Sequence, residues 1–302
     1  MATDSIRACL EQDTHHAWQR LYRELLDEVE AGFHVWAEAR DLASGRAGGD
    51  AGGRLQQLVA YLAHYIRQQL AGLDTLEAGY VEFRQRHAGA TGLADQQEQI
   101  LDFARTLGAT ARGLRADRRA FRRWFGHDAV VERYHRQRAE RERRIGFVLG
   151  RLGMLCARLL DTAGDKAGAA RLWRHLKLES LIRPLLGYPG DLRIRSAAFN
   201  CLSTALQAMP ASLQESSIGD GTLKYIYRSA LERRQDVWIQ CAALSLLQSQ
   251  SQASLDKALE NRLMKPGDGD DLFVRRHVVR LLGARLAVNA DLACLVDRVL
   301  DD

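Results

Sequence analysis

The residues most able to do chemistry in this chain are its histidines, cysteines and carboxylates, and their spacing assembles no recognisable catalytic set. His127-Asp128 is a pair that could hold a metal ion and activate water, given a further upstream histidine and a downstream aspartate. His87 and Asp161 are available for those roles, but neither separation is distinctive. His15 and His16 are adjacent, so on a helix their rings point to different sides, and no H-E-x-x-H occurs. Asp268, Asp270 and Asp271 resemble the start of a calcium loop but lack the glutamate at the twelfth position, so an exposed turn is expected. The glycine-rich stretch Ser44 to Gly53 is followed by Arg54 and Leu55, where a phosphate-cradling loop needs Lys and Ser or Thr. It reads as a connector. Cys9, Cys156, Cys201, Cys241 and Cys294 form no C-x-x-C pair and sit mostly in apolar helical patterns, as reduced buried cysteine does. Asp236 beside Trp238 is the nearest match to a carboxylate–aromatic site, and helix capping accounts for that aspartate. No catalytic residue, metal or cofactor is expected.

Binding chemistry is better represented. Arg118, Arg119, Arg122 and Arg123 alternate with Phe121, Trp124 and Phe125. On a helix the aromatics fall at i, i+3 and i+4, and the arginines take the remaining surface. Such a face can neutralise phosphates and stack an unpaired base, which makes Arg118, Arg119, Arg122, Arg123 and Trp124 candidate anion or nucleic-acid ligands. The competing reading is that the aromatics plug the end of a helical bundle and the arginines are solvated. From Arg112 to Arg144 the chain carries twelve arginines against five acidic residues, within a net charge of +5 overall. Glu132, Glu140 and Glu142 interleave with the later arginines, and pairs such as Glu140–Arg144 soften that field. Only five of 43 basic residues are lysine, so arginine richness is partly a habit of composition.

A second pattern is written three times. Asp191-Leu192-Arg193-Ile194-Arg195 opens a run that returns at Asp236-Val237-Trp238-Ile239-Gln240 and at Asp271-Leu272-Phe273-Val274-Arg275. The copies start 45 and then 35 residues apart, and each continues with apolar residues at the seventh, eighth, tenth and eleventh positions after the Asp. The Asp oxygen can accept from an orphan first-turn amide, and its charge suits the positive end of the helix dipole. The pattern resembles the second helix of HEAT repeats. That resemblance implies stacked helix pairs that bury their faces on one another and hold other molecules. It implies that the motif helix lines a concave surface, with Arg193, Trp238 and Phe273 exposed near the helix starts as candidate partner anchors, joined by Arg276 and Arg280. Packing of each on the adjacent repeat is the competing reading. It further implies that Arg195, Gln240 and Arg275 form a structural ladder to neighbouring aspartates, with Gln240 the weak rung.

The elements that must position these residues are helical. The chain has four prolines, no period-two apolar alternation and many helix formers. Amphipathic stripes mark long helices over about residues 14–43, 55–86, 100–114 and 128–162. Residues 1–163 are expected to pack as an antiparallel bundle containing the basic segment 112–144, and residues 164–302 as a short HEAT-like α-solenoid. Pro184 is expected to break or kink its helix. A final amphipathic stripe at Leu292, Leu295, Val296 and Val299 can cap the array. The most apolar stretch, Ile145 to Leu160, contains Arg151 and Arg158 and reads as a buried helix, so no membrane partner is expected. Met1 to Asp4 lacks the features of a signal peptide, which favours the cytoplasm. The function expected is a non-catalytic scaffold or adaptor that binds another protein within a larger assembly. The alternative is a nucleic-acid-associated subunit using the basic segment, with a HEAT-like DNA-modifying enzyme behind both.

Overall fold

The computed structural model describes residues 35–45, 53–108, 127–190, 192–214, 217–232, 234–264 and 271–296. Among these residues the chain is all-α, with no strand. In order, the helices are α1 (Val35–Ser44), α2 (Gly53–Gly89), α3 (Leu93–Thr106), α4 (His127–Asp161), α5 (Lys166–Leu176), α6 (Leu178–Leu186), α7 (Leu192–Gln207), α8 (Ala211–Gln214), α9 (Asp220–Leu231), α10 (Val237–Gln250), α11 (Gln252–Met264) and α12 (Leu272–Leu286), followed by a 3-10 turn at Ala290–Ala293. The chain divides into two compact units, residues 63–145 and residues 1–62 with 146–302.

In the first unit α2, α3 and the start of α4 surround an aromatic core. Leu76, Phe83, Ile100, Phe103, Leu107, Val130 and Tyr134 are all buried there. Phe83 stacks on Phe103 with ring centroids 4.6 Å apart, and Tyr80 stacks on Tyr134 at 3.9 Å. Gly79 faces Thr106 while Phe83 faces Phe103, so α3 returns antiparallel to α2. Gln69 accepts from Arg141 and Glu77 pairs with Arg138, so α4 also runs antiparallel to α2.

The second unit is a series of helix pairs. α6 packs on α7, α9 on α10 and α11 on α12, while α7 packs on α10 and α10 on α12. The three motif copies therefore supply α7, α10 and α12, and these lie next to one another in sequence order. The inward positions of the motif match across the copies. Ile194, Ile239 and Val274 are buried, as are Ala198, Ala243 and Val278, and Leu202, Leu247 and Leu282. Leu282 also joins Leu292 and Leu295 in a small terminal core.

The division between units does not fall at residue 163. The later turns of α4 belong with the helix pairs because glycine lets α7 come close: a Cβ at Gly153 would lie 2.9 Å from the Cα of Cys201. Helix α1 likewise packs on α5, where Arg171 donates to the carbonyls of Leu42 and Ala43. Pro184 does not break its helix. The break comes at Lys177, whose left-handed φ of 49° ends α5 and starts α6, and Pro184 sits inside α6. Both Pro184 and Ser180, whose carbonyl a residue at 184 would otherwise bond, are exposed, so solvent can take that acceptor.

Candidate partner-binding face

Helices α10 and α12 start in the same way for a local reason. The amide of Trp238 donates to Asp236 Oδ1 at 2.8 Å, and the amide of Phe273 donates to Asp271 Oδ1 at 2.8 Å. Each aspartate satisfies a first-turn donor that no intrahelical carbonyl can reach. The corresponding Asp191 lies outside the described residues. With the third residue of the motif helix turned into the core, the second is turned out. Trp238 is 69% exposed and Phe273 66% exposed. Arg193, the equivalent residue of the first copy, is exposed too, and beside it so is Leu192. Leu272, one residue before Phe273, is 77% exposed.

On α12, Phe273, Arg276 and Arg280 follow at i, i+3 and i+7, and all three are exposed. Of the partner residues expected from sequence, Phe273, Arg276 and Arg280 thus share one helix face. Trp238 lies on the adjoining helix, and Arg193 one helix further on. Arg118, Arg119, Arg122, Arg123 and Trp124 lie outside the described residues.

The latter half of the basic segment is described, and its arginines are engaged. Arg136 pairs with Glu132 at 2.8 Å, Arg138 with Glu142 at 2.8 Å and Glu77 at 3.1 Å, and Arg143 and Arg144 with Glu140, each at 3.1 Å. Arg133 donates to the Leu107 carbonyl and Arg141 to Gln69. Half of the twelve arginines are therefore committed to structure or to neighbouring carboxylates.

At two of its three positions, Arg195 and Gln240, the expected ladder takes another form. Arg195 Nε donates to the carbonyl of Leu186 on its own partner helix, at 3.1 Å. Gln240 is buried, donates to the Gln235 carbonyl at 2.6 Å, and accepts from Arg262 of α11. Arg262 also donates twice to the Ala230 carbonyl, at 3.0 and 2.6 Å. Gln240 is therefore an acceptor for a buried arginine. An arginine at that position would have repelled Arg262. Nothing in the local sequence around Arg262 marks it as buried, because its acceptors come from α9 and α10.

One cluster escaped the sequence reading. His277 Nε2 lies 3.0 Å from Ser245 Oγ, and Arg280 Nη2 lies 3.1 Å from His277 Nδ1. Arginine can only donate, so Nδ1 accepts and the ring proton is on Nε2, the nitrogen beside Ser245. Burial, with Arg280 adding to it, holds His277 below the ordinary histidine value, against a smaller opposing pull from the Cys241 backbone. In this arrangement His277 ties α12 to α10 and takes no proton from Ser245. Burial pushes the Cys241 thiol up, and the nearby carboxylate of Asp271 adds to the shift, which disfavours a thiolate. Among the described residues no group of His, Cys, Asp and Glu side chains converges to hold a metal ion, and no helix is long and apolar enough to cross a membrane.

Comparison with protein-family models, with curated proteins and with solved structures returns no match.

Proposed function

We propose that this chain is a non-catalytic protein-binding scaffold or adaptor of the cytoplasm, whose HEAT-like row of helix pairs presents the starts of α7, α10 and α12 to another protein. The observation that carries this reading is the exposure of Trp238 and Phe273 at the same position of neighbouring motif helices. Burying a large aromatic is worth about 1.5–3 kcal/mol, so two left in water, Phe273 on one helix face with Arg276 and Arg280, have the composition of an interface hot spot. Leu192 and Leu272 extend the apolar row. Nucleic acid is the weaker reading, since the described part of the basic segment is paired with its own glutamates.

Affinity purification from the native cell, with wild type and a Trp238→Ala/Phe273→Ala variant side by side, tests the proposal. A protein retained by the wild type and through nuclease treatment, and lost with the variant, is the expected result. Retention equal in both, or retention abolished by nuclease, overturns it.

A further inference from the structure

The third motif copy departs from the first two at two positions that α10 turns toward α12. The fifth residue after the Asp is Ser196, then Cys241, then Arg276; the ninth is Asn200, then Ser245, then Arg280. In α10 this face receives the next helix: Ser245 bonds His277 of α12, and Cys241 lies in the field of Asp271. The eighth residue between them, Phe199 and then Leu244, is wholly buried in the first two copies. Its counterpart Val279 is 42% exposed. Leu272, Arg276 and Val279 line up at i, i+4 and i+7 on α12, flanked by Phe273 and Arg280.

A motif helix whose outer face merely meets water would be expected to be polar at these apolar positions. Here the apolar positions stay apolar and exposed, and only the small neutral ones become arginine. Charge is sorted in the same sense. Helices α7, α10 and α12 contain six arginines and no acidic residue, whereas in α6, α9 and α11 the carboxylates Glu179, Asp220, Asp256 and Glu260 stand among the cations Arg183, Lys224, Arg228, Lys257 and Arg262. The acidic cap Asp271 is one turn back from Arg276 and occupied with the Phe273 amide.

We propose that the open face of α12 docks an amphipathic helix of a partner protein, in the place a further motif helix would take, with leucine-like side chains on Leu272 and Val279 and acidic side chains on Arg276 and Arg280. This rests on the scaffold reading above and specifies its partner. A helix is favoured because α10 meets its own neighbour, α12, through the equivalent positions. Acidic flanks are favoured because α12 offers two cations and no carboxylate of its own. Nucleic acid is disfavoured because so few arginines beside Leu272, Phe273 and Val279 fall short of the roughly 6–10 phosphate contacts of a typical DNA-binding surface.

The test uses three synthetic helical peptides with one leucine stripe, flanked by Glu, Gln or Lys, and a single-stranded oligonucleotide. Each is titrated by fluorescence anisotropy into the full chain and into an Arg276→Glu/Arg280→Glu variant shown by circular dichroism to be folded. The Glu peptide is expected to bind the wild type about tenfold more tightly than the Gln peptide, as two interface ion pairs would allow, with the gap closing as salt rises. The variant is expected to prefer the Lys peptide. Equal binding of all three peptides, unaffected by the arginine changes, overturns this inference and leaves the scaffold reading standing. Preference for the oligonucleotide overturns it as well. So does self-association of the chain that Val279→Asp abolishes, because the occupant would then be a second copy. Absence of any peptide binding overturns this inference alone if the native partner is still lost with Trp238→Ala/Phe273→Ala, and both readings fail together if it is not.

Discussion

Arg285 of α12 grips Asp256 of α11 through two parallel bonds, Nε to Oδ1 at 2.7 Å and Nη2 to Oδ2 at 2.8 Å, while its remaining nitrogen donates to Gln252 at 2.7 Å and Asn289 donates to the same carboxylate at 3.0 Å. Both charged side chains are largely buried, and the donors to the carboxylate come from Arg285 and from Asn289 one turn further on. This knot fixes the last helix pair and thereby holds the face that carries Phe273, Arg276 and Arg280.

Removing one half of that pair should cost far more than removing both. Asp256→Ala is expected to destabilise the chain by about 3–5 kcal/mol, since it strands a buried guanidinium, whereas Asp256→Leu with Arg285→Met should be much milder. Urea denaturation of the three proteins checks this. The bonds from Arg285 hold the Asp256 carboxyl below the ordinary carboxylate range against the opposing effect of burial. Its contribution is therefore present above the unfolded carboxylate value and is lost as pH falls through the lower folded value. The acid-side slope of stability should flatten in the double variant.

Gly153 should tolerate no side chain. Its Cβ would stand 2.9 Å from both the Cα and the carbonyl oxygen of Cys201, and backbone cannot move aside as a side chain can. Gly153→Ala is expected to cost about 1–3 kcal/mol despite its better helix propensity. Gly150, one turn earlier, has open space around it, so Gly150→Ala should be neutral or stabilising. Thermal melts of the two variants give the comparison.

The caps at Asp236 and Asp271 make a matched pair of measurements. Replacing either by alanine should lose about 1 kcal/mol, and replacement by serine or asparagine should recover most of it. Equal losses in chemical denaturation would show that the two motif copies start alike. A negligible loss at both would remove the physical basis of the repeat.

Gln240→Arg, which restores the residue type of the other copies, should destabilise more than Gln240→Ala. Alanine removes an acceptor from buried Arg262, at a cost of about 1–3 kcal/mol. Arginine adds a like charge to the same buried space. Denaturation midpoints in a matched series decide the order.

His277 should titrate below the ordinary histidine value of about 6.5 by NMR, because protonation would cost both its burial and its acceptance from Arg280. Its folded value is depressed, so stability is full above the unfolded histidine value and declines as pH falls through it. Arg280→Gln should move the folded value upward by relieving the like-charge repulsion.

The periodicity of the sequence determined the helical class and two of the long helices, because one buried stripe at helical spacing leaves little choice of local structure. The stripe expected over 100–114 is instead a helix at Leu93–Thr106, ended by the left-handed Gly108, and most of the stripe over 14–43 lies outside the described residues. Helices predicted over 55–86 and 128–162 are found at Gly53–Gly89 and His127–Asp161. The HEAT-like resemblance implied that Trp238 and Phe273 would stand exposed near their helix starts, with packing on the adjacent repeat as the competing reading, and both are exposed. Partnerships between distant turns were decided only in three dimensions. That Gln240 accepts from Arg262, that His277 joins Ser245 to Arg280, and that Arg285 locks on Asp256 depend on which helix lies beside which. The cationic face of α12 belongs to the same category. A count of charges along residues 187–302 sums to zero, and only the fold leaves Arg276 and Arg280 exposed beside Leu272 and Val279.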